Sequence, residues 1–188
     1  PLRTPSGKIE IFSEEISSFN YDDCVGHAKW YQHSEWLGGE LADKYPLHLI
    51  SNQPKTRLHS QFDHARTSRD HKIKQRERAR INPVEANKRN IEDGDIIRLF
   101  NDRGACLAGI EISDEIRDGV IELPTGAWYD PQTVDGKKLE AHGNPNVLTK
   151  DKGTSRLAQG CSAHSCLVEV EKYCGSIPEI TVFKQPKT

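Results

Sequence analysis

The chain has 188 residues with a formal net charge of −2, and 35% of them are hydrophobic. That length accommodates one domain with an added arm, and it can bury a sizeable core. The near-balanced charge argues against nucleic acid as a partner, and no run approaches the roughly 18 apolar residues of a membrane span.

Five cysteines without a C-x-x-C pair point away from a disulfide framework or a structural zinc site, so they read as structural. The chain opens on Pro1 with no signal-peptide pattern, which suggests a piece of a longer protein.

Residues 1–46 read as an arm leading in from a preceding domain. Lys8 to Phe12 alternates charged and apolar residues, which predicts a short strand. Ser13 followed by Glu14 and Glu15 predicts a helix start, with Ser13 as N-cap and acids at its positive end. Trp30, Tyr31, Trp36 and Leu37 lie among glycines and need a surface to cover, on the main domain or on one outside this chain.

Leu47 to Ile50 is a short apolar run entered through Pro46, a buried strand by its length. The next eleven positions, Ser51 to Gln61, change character at once. They carry Ser51, Asn52, Gln53, Lys55, Thr56, Arg57, His59, Ser60 and Gln61 around a single Pro54. Amides and hydroxyls suit a polar heterocycle or a diphosphate, and one Arg and one His add charge-assisted bonds. The plainer alternative is a polar surface loop. Asp63 to Arg80 is rich in His, Arg and Lys with little apolar periodicity, which predicts a solvated segment. Its alternative is an anion-facing surface built on Arg66, Arg69, Lys72, Lys74, Arg76, Arg78 and Arg80.

Asn82 and Pro83 begin a helix expected to end near Asn90. Ile96–Asn101 and Ala105–Ile112 read as a hairpin turning at Asn101–Gly104, and Val120–Leu123 as a further strand. Trp128 serves equally well as core or as a ligand wall, and residues 132–140 read as a polar loop. The stretch His142–Gly160 repeats the character of the first loop through Asn144, Asn146, Asp151, Ser155 and Gln159. Side chains that mix acceptors and donors suit an edge such as that of a pterin. Leu157–Gly160 reads as a helical turn, Ser165–Lys172 as a last strand, and Ile180–Phe183 as a possible short one. The fold class is thus mainly β, with an arm at 1–46, a barrel at 47–173 and a C-terminal extension at 174–188. No dinucleotide fingerprint, Walker loop or nucleophile elbow occurs.

Seven segments resemble, in order, the C-terminal domain of the dimethyl sulfoxide reductase family of molybdenum enzymes. The closest likeness is to the branch that reduces trimethylamine N-oxide and biotin sulfoxide. They are Thr4–Glu10, Arg57-Leu58-His59-Ser60-Gln61, Ile81-Asn82-Pro83, Glu92–Asp95, Phe100–Gly109, Thr125–Pro131 and Gly143–Thr149. Gln53 stands where that branch more often has His. The resemblance implies a six-stranded double-psi β-barrel and one molybdenum bound by two molybdopterin guanine dinucleotides. It also implies reduction of an N- or S-oxide by oxygen-atom transfer. By motif match Gln53, Arg57, His59, Ser60 and Gln61 contact the pterin and diphosphate portions. Asn144, Asn146, Asp151, Ser155 and Gln159 line the other side. The metal ligand of that family is a serine in an earlier domain, so the isolated chain is expected to be inactive. The implied partners are the preceding domains, a small oxide substrate and an electron-donating cytochrome or reductase. The implied compartment is the periplasm, with the cytoplasm as alternative. The rival reading is a stand-alone barrel that binds a ligand without redox chemistry.

Overall fold

The computed structural model describes residues 1–185; the last three residues of the expected extension, 186–188, lie outside them. It divides into two compact units. One comprises Pro1–His33 with Asp151–Ser162, and the other Ser34–Lys150 with Ala163–Thr188.

In the smaller unit, helix α1 (Glu14–Ser18) starts where its cap predicts: the Ser13 hydroxyl accepts the Ile16 amide at 3.3 Å. The strand expected at Lys8–Phe12 does not form, and only an isolated bridge joins Phe12 to His27. An alternating run needs a partner ladder, and Ile9 and Ile11 stay exposed without one. The Asp23 carboxylate accepts the Arg156 amide at 3.1 Å, and the Arg156 guanidinium lies 5.7 Å from the Tyr21 ring. No helical turn forms at Leu157–Gly160; Ser155 and Ala158 close a tight turn instead, with Ser155 N donating to Ala158 O at 3.0 Å.

The larger unit is built on eight strands: β1 (Leu47–Ile50), β2 (Arg78–Ile81), β3 (Ile96–Phe100), β4 (Ala105–Ile112), β5 (Val120–Glu122), β6 (Pro131–Val134), β7 (Lys137–Glu140) and β8 (Leu167–Lys172). Their order is β2-β5-β1-β8-β3-β4-β7-β6, and an added β2–β4 pairing closes the first six into a barrel. The β1–β5 and β2–β4 pairs are parallel, while β3 runs antiparallel to both β4 and β8. Closure leaves those six strands without an open edge. Leu47, Leu49, Ile81, Ile97, Leu99, Ile110, Ile121 and Val168 fill the interior. Each such side chain contributes roughly 1.5–3 kcal/mol by leaving water.

Helices α2 (Arg66–Arg69) and α3 (Pro83–Lys88) lie between strands. Asn82 caps α3 as its sequence predicts, accepting the Val84 amide at 2.9 Å. Residues 132–140 are not a loop. They hold most of the β6–β7 hairpin, turned by Asp135 (φ 50°) and Gly136 (φ 75°), and β7 adds to β4 in parallel. No strand forms at Ile180–Phe183; that segment is held by side chains, and Ile180 is buried.

Candidate functional site

Three loops carry the polar motifs of the larger unit and the turn between them. The first runs from Ser51 to Phe62 after β1, the second from Leu123 to Asp130 after β5, and the third from Ala141 to Lys150 after β7. The second loop sits between the others and is bonded to both. Thr125 N donates to Asn52 O at 2.9 Å, and Trp128 Nε1 donates to Ser60 O at 2.7 Å. From the third loop, Asn144 Nδ2 donates to Ala127 O at 2.8 Å. Gly126 (φ +90°) lets the backbone of the second loop touch the first, because a β-carbon there would overlap the His59 carbonyl. Gly143 (φ +93°) does the same toward Glu77, whose Cβ would lie 2.6 Å from an added methyl.

Beneath these loops is a buried ion cluster. Arg57 Nη2 donates to Glu77 at 2.8 Å and to Thr125 O at 2.9 Å, Nη1 to Ser68 Oγ at 3.1 Å, and Nε to His59 O at 3.1 Å. Lys72 Nζ lies 2.8 Å from both Asp63 and Glu77, and Ser68 Oγ donates to Asp63 at 3.2 Å. Burial opposes the charge on Asp63, but Lys72, the Trp128 amide (2.9 Å) and Arg57 together hold its pKa below the usual carboxylate range. Two cations thus face two carboxylates, and Arg57 and Asp63 are also bonded to loop backbone. Breaking such a cluster costs far more than its net worth to stability.

His142 is fully buried at the edge of the cluster. Its Nδ1 lies 2.9 Å from Trp128 O, and a carbonyl only accepts, so the proton sits on Nδ1. Burial, reinforced by the charge of Lys72, pushes its pKa down and keeps the ring neutral. Glu140 organises the start of the third loop. Its carboxylate accepts the amides of Asp130, His142, Gly143 and Asn144 at 2.7–3.1 Å, while burial pushes its pKa up against them.

The sequence-predicted residues separate into three sets. His59, Ser60 and Gln61 are exposed on a tight turn closed by Gln61 N to Leu58 O at 2.9 Å, with His59 at φ 48°. Their backbones are tied inward, but no side-chain atom of the three is used within the described chain. Asn146 is likewise exposed, on a 3-10 turn at Pro145–Val147. Gln53, Arg57 and Asn144 spend their side chains on scaffolding. Gln53 Nε2 donates to Arg57 O at 2.7 Å, and Asn144 Oδ1 accepts the Asn146 amide at 3.0 Å. Asp151, Ser155 and Gln159 belong to the smaller unit, where Ser155 Oγ accepts Ala158 N and Gln159 Nε2 donates to Ser155 O.

The segment Asp63–Arg80, expected to be solvated, is exposed over much of its length, but several of its polar side chains are not. Asp63, Ser68, Arg76 and Glu77 are buried, and Arg78 and Arg80 pair with Glu111 from adjacent β4. Arg66 and Arg69 stay outside. Charge-rich composition reads as solvation when the partners are distant in sequence, as those of Arg78 and Arg80 are. Asn52, part of the polar loop but not among the expected cofactor contacts, lines a cavity of about 400 Å³ shared with Pro54, Lys55, Thr56, Arg78 and Arg80. Its Oδ1 is buried with no internal hydrogen bond. Trp128 is neither core nor bare wall: half-buried, it is the post linking Ser60 to His142.

Comparison with known proteins places this geometry. The profile described as "Molydopterin dinucleotide binding domain" matches residues 47–167, from the first residue of β1 to the first of β8. The chain is 47% identical over 189 residues to a trimethylamine-N-oxide reductase of Haemophilus influenzae, covering all of this chain and 23% of that protein. It is 45% identical over 188 residues to a dimethyl sulfoxide/trimethylamine N-oxide reductase of Cereibacter sphaeroides, with the same two coverages. Acetylene hydratase from Pelobacter acetylenicus superposes with a TM-score of 0.71 at 20% identity, over 90% of this chain and 24% of that one, a likeness of fold. The chain therefore spans about a quarter of the length of the curated relatives it matches.

Proposed function

The chain belongs to the molydopterin dinucleotide binding domain family, and from that premise we propose that its parent is a molybdenum oxidoreductase reducing N- or S-oxides by oxygen-atom transfer. Trimethylamine N-oxide is the foremost substrate, with biotin and methionine sulfoxides as further candidates. The resident group is molybdenum held by two molybdopterin guanine dinucleotides. When bound, it supplies the two-electron chemistry, as cofactors of this kind do, and the protein supplies position and electrostatics.

The observation that carries this reading is the turn His59-Ser60-Gln61. Three polar side chains without internal partners stand on a loop whose base is fixed by the buried Arg57 cluster. An imidazole, a hydroxyl and a carboxamide fit the mixed donors and acceptors of a pterin and its diphosphate. The orphaned Asn52 Oδ1, in the wall of the cavity shared with Lys55 and Thr56, offers one more acceptor. His59, Ser60, Gln61 and Asn146 make direct contact, whereas Gln53, Arg57 and Asn144 hold the loops that present them. Asp151, Ser155 and Gln159 supply the remaining contacts. Residues 47–173 form the cofactor-gripping barrel, 1–46 its lead-in arm and 174–188 its extension. The preceding domains of the same polypeptide provide the metal ligand, an electron-donating cytochrome or reductase delivers electrons, and the enzyme works in the periplasm in anaerobic respiration.

The test begins with molybdenum and guanine content of the full-length parent made in a host able to synthesise the cofactor. One metal and two guanines per chain are expected. Replacing His59, Ser60 and Gln61 together with alanine removes bonds worth about 1 kcal/mol or more each, so affinity should fall at least 100-fold. A folded parent free of guanine, or a triple variant that keeps its full complement, overturns the reading.

A further inference from the structure

Beyond β8, the chain does not drift off the barrel. Residues 174–177 are exposed, and then 178–183 are fastened down by two buried charges. The Arg76 guanidinium donates to Pro178 O, and Gln132 Nε2 donates to Glu179 O at 2.7 Å. Asp130, only 3% exposed, accepts Thr181 N at 2.7 Å, Thr181 Oγ1 at 2.5 Å and Val182 N at 3.4 Å. Every hydrogen bond recorded for that carboxylate comes from the tail. Burying a charge is costly, and a surface extension has no need of such a receptor for its own sake.

The fastening delivers one side chain, Phe183. Its ring centroid lies 5.0 Å from that of His142 at 90°, 5.7 Å from that of Trp128, and 5.7 Å from the Arg69 guanidinium carbon. His142 and Trp128 are two of the residues through which the middle loop is set. Trp128 Nε1 holds Ser60 O, Trp128 N is held by Asp63, and Trp128 O takes the His142 proton. The indole that Phe183 touches is thus one hydrogen bond from the backbone of the exposed His59–Gln61 turn.

We propose that residues 178–183 form a buckle, locked by Asp130, whose Phe183 sets Trp128 and with it the cofactor-facing His59–Gln61 turn. Asp130 and Phe183 are positioning residues; neither reaches the turn itself. Their effect on cofactor retention rests on the function proposed above, but the link from Phe183 to the turn does not.

The experiment uses the full-length parent, with hydrogen exchange read by peptide and pterin release followed by fluorescence well below the unfolding midpoint. In Phe183→Ala, the amides of Gln61 and Asp63, which donate to Leu58 O and Ser60 O, should exchange about tenfold faster, equivalent to about 1.4 kcal/mol of local opening. Peptides of β3 and β4 should be unchanged. Pterin release should quicken by a similar factor, and Phe183→Tyr should restore both. Thr181→Val, which loses only one bond to Asp130, should show the same local pattern more weakly and serves if the alanine variant folds poorly. Unchanged exchange at Gln61 and Asp63 overturns the inference, as does faster exchange spread evenly through the barrel, which marks the tail as a general stabiliser. A wild-type parent without guanine would remove the functional reading but leave the exchange result to judge the buckle.

Discussion

Replacing Arg57 with glutamine separates a scaffold from a ligand contact. The Arg57 side chain is 1% exposed and, with Lys72, balances Asp63 and Glu77. Without it, two buried carboxylates share one ammonium, and Ser68 Oγ, His59 O and Thr125 O each lose a donor. Leaving such a charge uncompensated costs about 3–5 kcal/mol. With a urea slope of about 2 kcal/mol per M, the unfolding midpoint should drop by about 2 M. Arg57→Lys keeps the charge but not the fork, so it should lose a substantial part of that stability. Lys55→Gln, at the rim of the same loop, should leave the midpoint where it is. The assay is equilibrium urea unfolding of the three variants, followed by circular dichroism. An Arg57→Gln midpoint within about 0.3 M of wild type, against the 2 M shift expected from that slope, would refute the scaffold role. The side chain would then be free to serve a ligand.

Gly126→Ala must put a β-carbon at φ +90° against the His59 carbonyl. The left-handed backbone alone costs about 1–2 kcal/mol, and the clash adds to it. The melting temperature should fall by about 8 °C or more for a total of at least 3 kcal/mol, and a change within 2 °C would contradict the close approach. The buried His142 gives a pH signature. Its folded pKa lies below the ordinary value of about 6.5, so its contribution to stability is complete above that pH. It is lost as pH falls from there toward the folded pKa. Asp63, also depressed, keeps its contribution to lower pH, losing it only as pH drops through its own folded value. His142→Asn retains a donor for Trp128 O and should flatten the unfolding midpoint in the window just below pH 6.5. Parallel wild-type and variant profiles would count against a buried neutral ring.

Much of the barrel was readable because its signals are local. Leu47–Ile50 and Ala105–Ile112 begin and end where their apolar runs do, and Asn82 and Ser13 cap the helices they precede. The β6–β7 hairpin also had a local signal, the pair Asp135-Gly136, but its strands carry Lys and Thr rather than a clear apolar alternation. The segment Asp63–Arg80 was misread for a different reason. Burial of a charge depends on a counter-charge, and those of Arg78 and Arg80 lie on β4, more than thirty residues away. The same limit applies to the loops. Composition marked the polar stretches, but which of their side chains face outward depends on contacts such as Arg57 with Thr125 O and Asn144 with Ala127 O. No one-dimensional pattern encodes those.

The pairing of β1 also sets a timetable. This strand launches the His59–Gln61 loop, yet its two neighbours are β5, at Val120–Glu122, and β8, at Leu167–Val168. On a ribosome, Leu47–Ile50 therefore waits through most of the domain with nothing to pair against. Its antiparallel partner arrives only with the last strand. Long-range pairings of this kind are slow to form, and apolar strands that wait for them are exposed to aggregation meanwhile. A grip whose first strand is completed by its last cannot close on anything during synthesis. Closure of the barrel about β1 therefore waits for Leu167 and Val168.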